Sequence, residues 1–100
     1  MTMKISVNVI KQGTHVLVAA CDADLLGKNL KFGTIDFKVR KDFYGGSLVH
    51  VEEAVSLIKN ATDANLVGSI IINRAIKEKL LHPQAVLDIS GVPHAQIIKL

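Results

Sequence analysis

Apolar residues recur at intervals of three and four from residue 63 to residue 80. Leu66, Val67, Ile70, Ile71, Ala75, Ile76 and Leu80 fall on one broad face of a helical projection, with Asn73, Arg74, Lys77 and Lys79 mostly opposite. This spacing predicts one amphipathic helix over residues 63–80, the longest element of the chain, whose apolar face the rest must cover. Gly68 inside it costs about 1 kcal/mol relative to alanine, which predicts close approach of another backbone. Asn65 falls in its first turn, either bracing the chain through backbone bonds or contacting a ligand at the positive helix end.

Upstream the period changes to two. Residues 3–10 alternate, with Met3, Ile5, Val7 and Val9 on one side and Lys4, Ser6 and Asn8 on the other. Lys11-Gln12-Gly13 predicts a short loop, and residues 14–20 form a second strand that is apolar on both faces. The pair reads as a hairpin, its second strand inside a sheet and its first nearer an edge. Residues 22–27 begin acidic and end on Gly27, which predicts one helical turn or a tight loop. Residues 28–32 read as a basic connector, and residues 34–40 as a strand with Ile35, Phe37 and Val39 inward.

Val51, Ala54, Val55, Ile58 and Ala61 predict a helix over residues 51–61, with Glu52 and Glu53 at its positive end. His50, or Ser47 for an earlier start, is the cap position. Thr62-Asp63 separates this helix from the next and caps it, which makes the two a corner or hairpin of helices. Leu81-His82-Pro83 stops the second helix. Residues 85–90 read as a strand, Gly91-Val92-Pro93-His94 as a turn, and residues 95–100 as a last strand. The expected fold is α+β: a single small domain over residues 1–100, with an antiparallel or mixed sheet and two main helices packed on one face.

Composition refines this picture only slightly. Charged residues make up 21% and the apolar class 49%, the balance of a globular chain. No apolar run approaches the roughly 20 residues of a membrane-spanning helix, and the first residues lack the pattern of a secretory signal. The lone Cys21 excludes an internal disulfide and reads as a small buried apolar residue. These features lead to an expectation of a cytoplasmic protein without a membrane partner.

The net charge of +3 matters only if it is clustered. Five of the twelve basic residues, Lys28, Lys31, Lys38, Arg40 and Lys41, lie between positions 28 and 41 with Asp36 as the one acid. Two readings are open: a solvated strand face that discourages aggregation, or an anion-binding surface. Phe43-Tyr44-Gly45-Gly46 follows at once, its aromatics serving as a hydrophobic plug at a turn or as stacking platforms.

The four histidines, His15, His50, His82 and His94, have no mutual spacing of a zinc site. Cys21 has no neighbouring cation, no serine sits in a nucleophile elbow, and Gly45-Gly46 lacks the residues of a phosphate loop. No metal, cofactor or catalytic residue is expected. His94 beside Gln96 is the most notable polar pair, bonding local backbone in a turn or touching a ligand.

Three strings in order, Phe43-Tyr44-Gly45-Gly46, Ala64-Asn65-Leu66-Val67-Gly68 and Gly91-Val92-Pro93-His94-Ala95-Gln96, resemble a family of small archaeal proteins classed as a domain of unknown function. The similarity extends over nearly the whole chain, including Cys21-Asp22 and Leu25-Leu26-Gly27-Lys28. His50 departs from it, standing where an acidic or hydroxyl cap is expected. The resemblance implies an archaeal cytoplasmic protein of compact α+β fold, with a link to translation or RNA and no established activity.

Together these readings lead to an expectation of a non-enzymatic module that binds RNA or a ribonucleoprotein through residues 28–41, with Phe43 or Tyr44 stacking on bases. The alternatives are a protein-interaction module or homo-oligomer, and an enzyme using His94 with Asn65 or Cys21.

Overall fold

The computed structural model describes residues 4–99. β1 (Ile5–Gln12) and β2 (His15–Asp22) form the expected hairpin, with Gly13 at φ 59° in its turn and pairing from Ile5–Asp22 to Gln12–His15. A single 3-10 turn (Ala23–Leu25) leads to a separate two-stranded hairpin, β3 (Asn29–Phe32) and β4 (Ile35–Lys38). One helical turn, α1 (Lys41–Tyr44), precedes β5 (Ser47–Val49). The chain then runs through α2 (Val51–Lys59), β6 (Asp63–Val67), α3 (Ser69–Lys77), a 3-10 turn (Pro83–Ala85), β7 (Leu87–Ile89) and β8 (Val92–Ile98).

The main sheet is mixed, in the order β5-β1-β2-β6-β8-β7. β2, β5, β6 and β7 run parallel to one another, and β1 and β8 run opposite to them. Crossovers of one hand decide which face each connection covers. The steps from β5 to β6 and from β6 to β7 move the same way across the sheet, so α2 and α3 lie on the same face. The step from β2 to β5 moves the other way, which sends residues 23–46 to the opposite face.

Side-chain alternation along the strands feeds both layers. Ile5, Val7, Val18, Ala20, Ala64 and Leu66 meet Ala54 and Ile58 of α2 and Ile71, Ile72 and Ala75 of α3 in the larger core. Ala19, Cys21 and Val67 point the other way, and are buried with Val39 and Tyr44 beneath Leu25, Leu26, Leu30, Phe37 and Phe43. The α+β class, the mixed sheet and the two helices on one face all agree with the sequence reading.

The predicted helix over residues 63–80 is the main correction. Its first five residues are β6, and only Ser69–Lys77 are helical. The C-terminal end of β6 is covered on both faces, so Leu66 and Val67 are both buried completely. A strand apolar on both sides fits a helical template as well as a strand template. Gly68, at φ 117° and ψ 149°, separates the two elements. Asn65 therefore lies inside a strand, and the two helices are joined through that strand and not by a corner. The close approach expected at Gly68 comes from the Asp22 side chain and not from a backbone.

Smaller differences follow the same logic. Residues 28–32 contain β3, and Ile35 of β4 is exposed because the hairpin tip has nothing above it. Thr62 accepts from Val16 N–H at 2.8 Å and donates to Val16 C=O at 2.9 Å, so it ties β2 to the start of β6 and caps no helix. His94 belongs to β8, with the turn confined to Ser90 and Gly91. Ser47–Val49 is a strand too short to show a period. Met3 and Leu100, the outer limits of the first and last predicted strands, lie outside the described residues.

Candidate functional site

Three side chains from distant parts of the chain meet on the second face of the sheet. The phenol of Tyr44 donates to Asn65 Oδ1 at 2.5 Å, and His94 Nε2 lies 3.1 Å from the same oxygen. α1 carries Tyr44, and a single helical turn satisfies only its first carbonyl, that of Lys41 from the Gly45 N–H, and leaves the last ones without intrahelical partners. β1 supplies the donors: Ser6 Oγ to Tyr44 C=O at 3.0 Å and Asn8 Nδ2 to Phe43 C=O at 2.9 Å. These two polar residues are the outward members of the β1 alternation. The Phe37 ring from β4 stands edge-on to the His94 imidazole, with centroids 5.1 Å apart.

This geometry fixes protonation and orientation. Two donors converge on Asn65 Oδ1, so His94 carries its proton on Nε2 and keeps Nδ1 as an acceptor. Burial pushes the Tyr44 phenol well above its ordinary range and the His94 imidazole below its own, so both are neutral at pH 7. Cys21 is fully buried on the same face, and burial, with Asp22 and Asp24 nearby, pushes its thiol up to about 12. It is protonated and inert as a nucleophile. His15, His50 and His82 sit on other elements, and among the described residues no three His, Cys, Asp or Glu side chains gather as metal ligands.

The covering layer ends at this trio. Strand register places Asn8, Ala19, Asn65 and Gln96 in one row across the second face, and Ile10, Leu17, Asp63 and Ile98 in the next. Ala19 is sealed, whereas Gln96 is exposed and Ile98 is 68% exposed. Beyond the Tyr44–Asn65–His94 group the sheet is thus an open shelf. Among the described residues Asn65 Nδ2 has no protein hydrogen bond, and none of the buried side-chain nitrogens or oxygens lacks a partner. The amide NH2 therefore reaches solvent.

The basic residues divide. Lys31 pairs with Asp36 at 2.5 Å, and Arg40 holds Asp42 through Nε at 3.0 Å and a second nitrogen at 2.5 Å. Lys38, Arg40 and Lys41 line one open depression of about 510 Å³ with Gly27 and Asp42. Gly27, at φ 85°, lets the Lys41 stem lie across it: a Cβ there would stand 2.9 Å from Lys41 Cε. Lys28 is exposed at the start of the β3–β4 hairpin.

The aromatics correct the stacking expectation. Tyr44 is 3% exposed and offers no ring face, and Phe43 is half-buried against it. The exposed aromatic of the basic segment is Phe32, paired with Ile35 at the hairpin tip. Asn65 and His94 are brought together, with Gln96 beside Asn65 across the β6–β8 pairing. Sequence reasoning missed Ser6, Asn8, Asp22 and Phe37. Ser6 and Asn8 carried a signal, as amide and hydroxyl residues on the polar side of a strand.

The chain belongs to the family described as Protein of unknown function (DUF424), which matches residues 10–100. It is also similar to an uncharacterized conserved protein from Methanopyrus kandleri, known from a crystal structure, at 25% identity and a TM-score of 0.82. That similarity covers 97% of this chain and 94% of the other. A search of curated proteins gave no match. No helix among the described residues is long and apolar enough to cross a membrane.

Proposed function

We propose that this member of a family of unknown function is a non-enzymatic module of the cytoplasm that binds RNA or a ribonucleoprotein, in keeping with a role in translation. The observation that supports the reading is the gathering of Lys38, Arg40 and Lys41 around one depression. Three cations against the single carboxylate of Asp42 leave local positive charge where phosphate oxygens would be neutralised. Lys28 and the hairpin surface extend the same sign. The buried Cys21 thiol is protonated and so supplies no thiolate nucleophile.

The test is a filter-binding titration with total cellular RNA across a salt series. Retention at low salt is expected to fall as salt rises, with a log–log slope of about 0.7 per phosphate contact on single strands. Lys38→Glu combined with Arg40→Glu should weaken binding and flatten that slope. Absence of retention at low salt would sink the reading.

A further inference from the structure

We infer that the open shelf beside Asn65 is a binding site for a neutral, planar hydrogen-bonding group, namely an unpaired base of single-stranded RNA. This rests on the RNA reading for the identity of the ligand, but its own carriers are different residues. Asn65 is not free to rotate, because Tyr44 and His94 both spend their donors on Oδ1. Its NH2 group is therefore a fixed, solvent-reaching donor, and Gln96 stands next to it in register with an exposed carboxamide. Asp63 lies two residues before Asn65 on the same face of β6, about 6.6 Å along the strand. Among the described residues it has no ion-pair partner.

The shelf thus presents a donor at Asn65, an adaptable amide beside it across the strand pairing at Gln96 and an acceptor two residues along β6 at Asp63, with apolar Leu17 and Ile98 flanking Asp63 in its row. A carboxylate or phosphate ligand is disfavoured by Asp63. A base edge, which carries acceptors and an amine or imide N–H on one rigid ring, satisfies all three groups, and its face covers those apolar side chains. α1 connects the shelf to the basic depression: Lys41 at its start lines the depression, and Tyr44 at its end holds Asn65. Phosphates on one side and a base on the other are then read across a single helical turn.

Side-chain amide NMR with cytidine tests this directly, since a nucleoside has no phosphate and bypasses the lysines. Cytidine should shift the Asn65 and Gln96 NH2 signals in a saturable way, while inorganic phosphate leaves them in place. Gln96→Ala, at an exposed position, should weaken oligocytidylate binding at least about 5-fold without changing the salt slope, whereas Lys38→Glu changes the slope. Shifts with cytidine support the shelf even if total RNA is not retained, in which case the RNA reading alone falls. If cytidine leaves both signals unmoved, the shelf proposal is overturned, whatever RNA does at the lysines. It is also overturned if the two amides broaden with protein concentration alone, because a second copy then covers the face.

Discussion

Asp22, at the end of β2, caps the helix that follows the neighbouring strand, and Gly68 makes room for it. The carboxylate accepts from the backbone N–H of Ile70 at 3.0 Å and of Ile71 at 3.1 Å. A Cβ on Gly68 would stand 2.6 Å from both carboxylate oxygens. The residue before α3 is that glycine, which has no side chain to cap with, so the acceptor comes from 46 positions earlier in the chain. The negative charge also meets the positive end of the helix. This contact locks β2, β6 and α3 together at the centre of the sheet.

Gly68→Ala should therefore be among the most damaging small substitutions. The backbone conformation at φ 117° is one that only glycine adopts freely, at about 1–3 kcal/mol for another residue, and the collision with Asp22 adds to that. Urea unfolding of Gly68→Ala, Asp22→Ala and the double variant measures both parts. The double variant should cost less than the sum of the singles, because removing the carboxylate removes the collision. Strict additivity would mean that the two residues do not press on each other.

The Asp22 carboxyl itself should titrate above its usual value of 3.8. Burial raises it most, the two amide bonds from Ile70 and Ile71 pull it down, and Asp24 raises it again. A folded value above the unfolded one means that the native state holds the proton more tightly. The stability it contributes is full below 3.8 and is lost as pH rises through the folded value. Asp22 thus opposes acid unfolding. NMR of its carboxyl carbon should show a midpoint above 3.8, and a midpoint below would mean that the amide bonds outweigh burial.

The elements that were legible in the sequence are those wet on one face. The β1 alternation and the α2 stripe each leave a polar side, and that contrast reveals the period. β6 lost its signal because α2 and α3 cover one face while Tyr44 and Val39 fill the other, so Leu66 and Val67 look alike. The site was legible as residues but not as a constellation. Tyr44, Asn65 and His94 each stood out, yet their meeting depends on which strands are neighbours, and β6 as a helix placed Asn65 on the wrong element. Asp22 gave no sign of its role, because a cap supplied from another strand leaves no local pattern.

Removing the donors and the acceptor of the polar trio should cost different amounts. Tyr44→Phe deletes one hydrogen bond and leaves Asn65 Oδ1 with His94, a loss of about 0.5–1.5 kcal/mol. Asn65→Ala strands the buried phenol and the imidazole N–H at once, about 1–3 kcal/mol for each. Chemical denaturation should therefore rank Asn65→Ala clearly below Tyr44→Phe in stability. Equal losses would mean that leaving both the phenol and the imidazole N–H without Asn65 costs no more than deleting the phenol alone.

His94 should make the β3–β4 layer sensitive to mild acid. Burial lowers its imidazole from the ordinary 6.5, so the unfolded chain binds the proton more readily than the native one. Its contribution to stability is full above 6.5 and is lost as pH falls through the lower folded value. Protonation puts a positive charge on a half-buried imidazole whose ring centroid is 5.1 Å from that of Phe37, a residue of the hairpin that covers the site. Between about pH 8 and pH 5, unfolding free energy should decline, and His94→Gln should flatten that decline. Amide exchange in β3 and β4, corrected for intrinsic rates, should quicken over the same interval in the native protein and not in the variant. Unchanged exchange alongside the declining stability would show that the imidazolium is accommodated without loosening the hairpin.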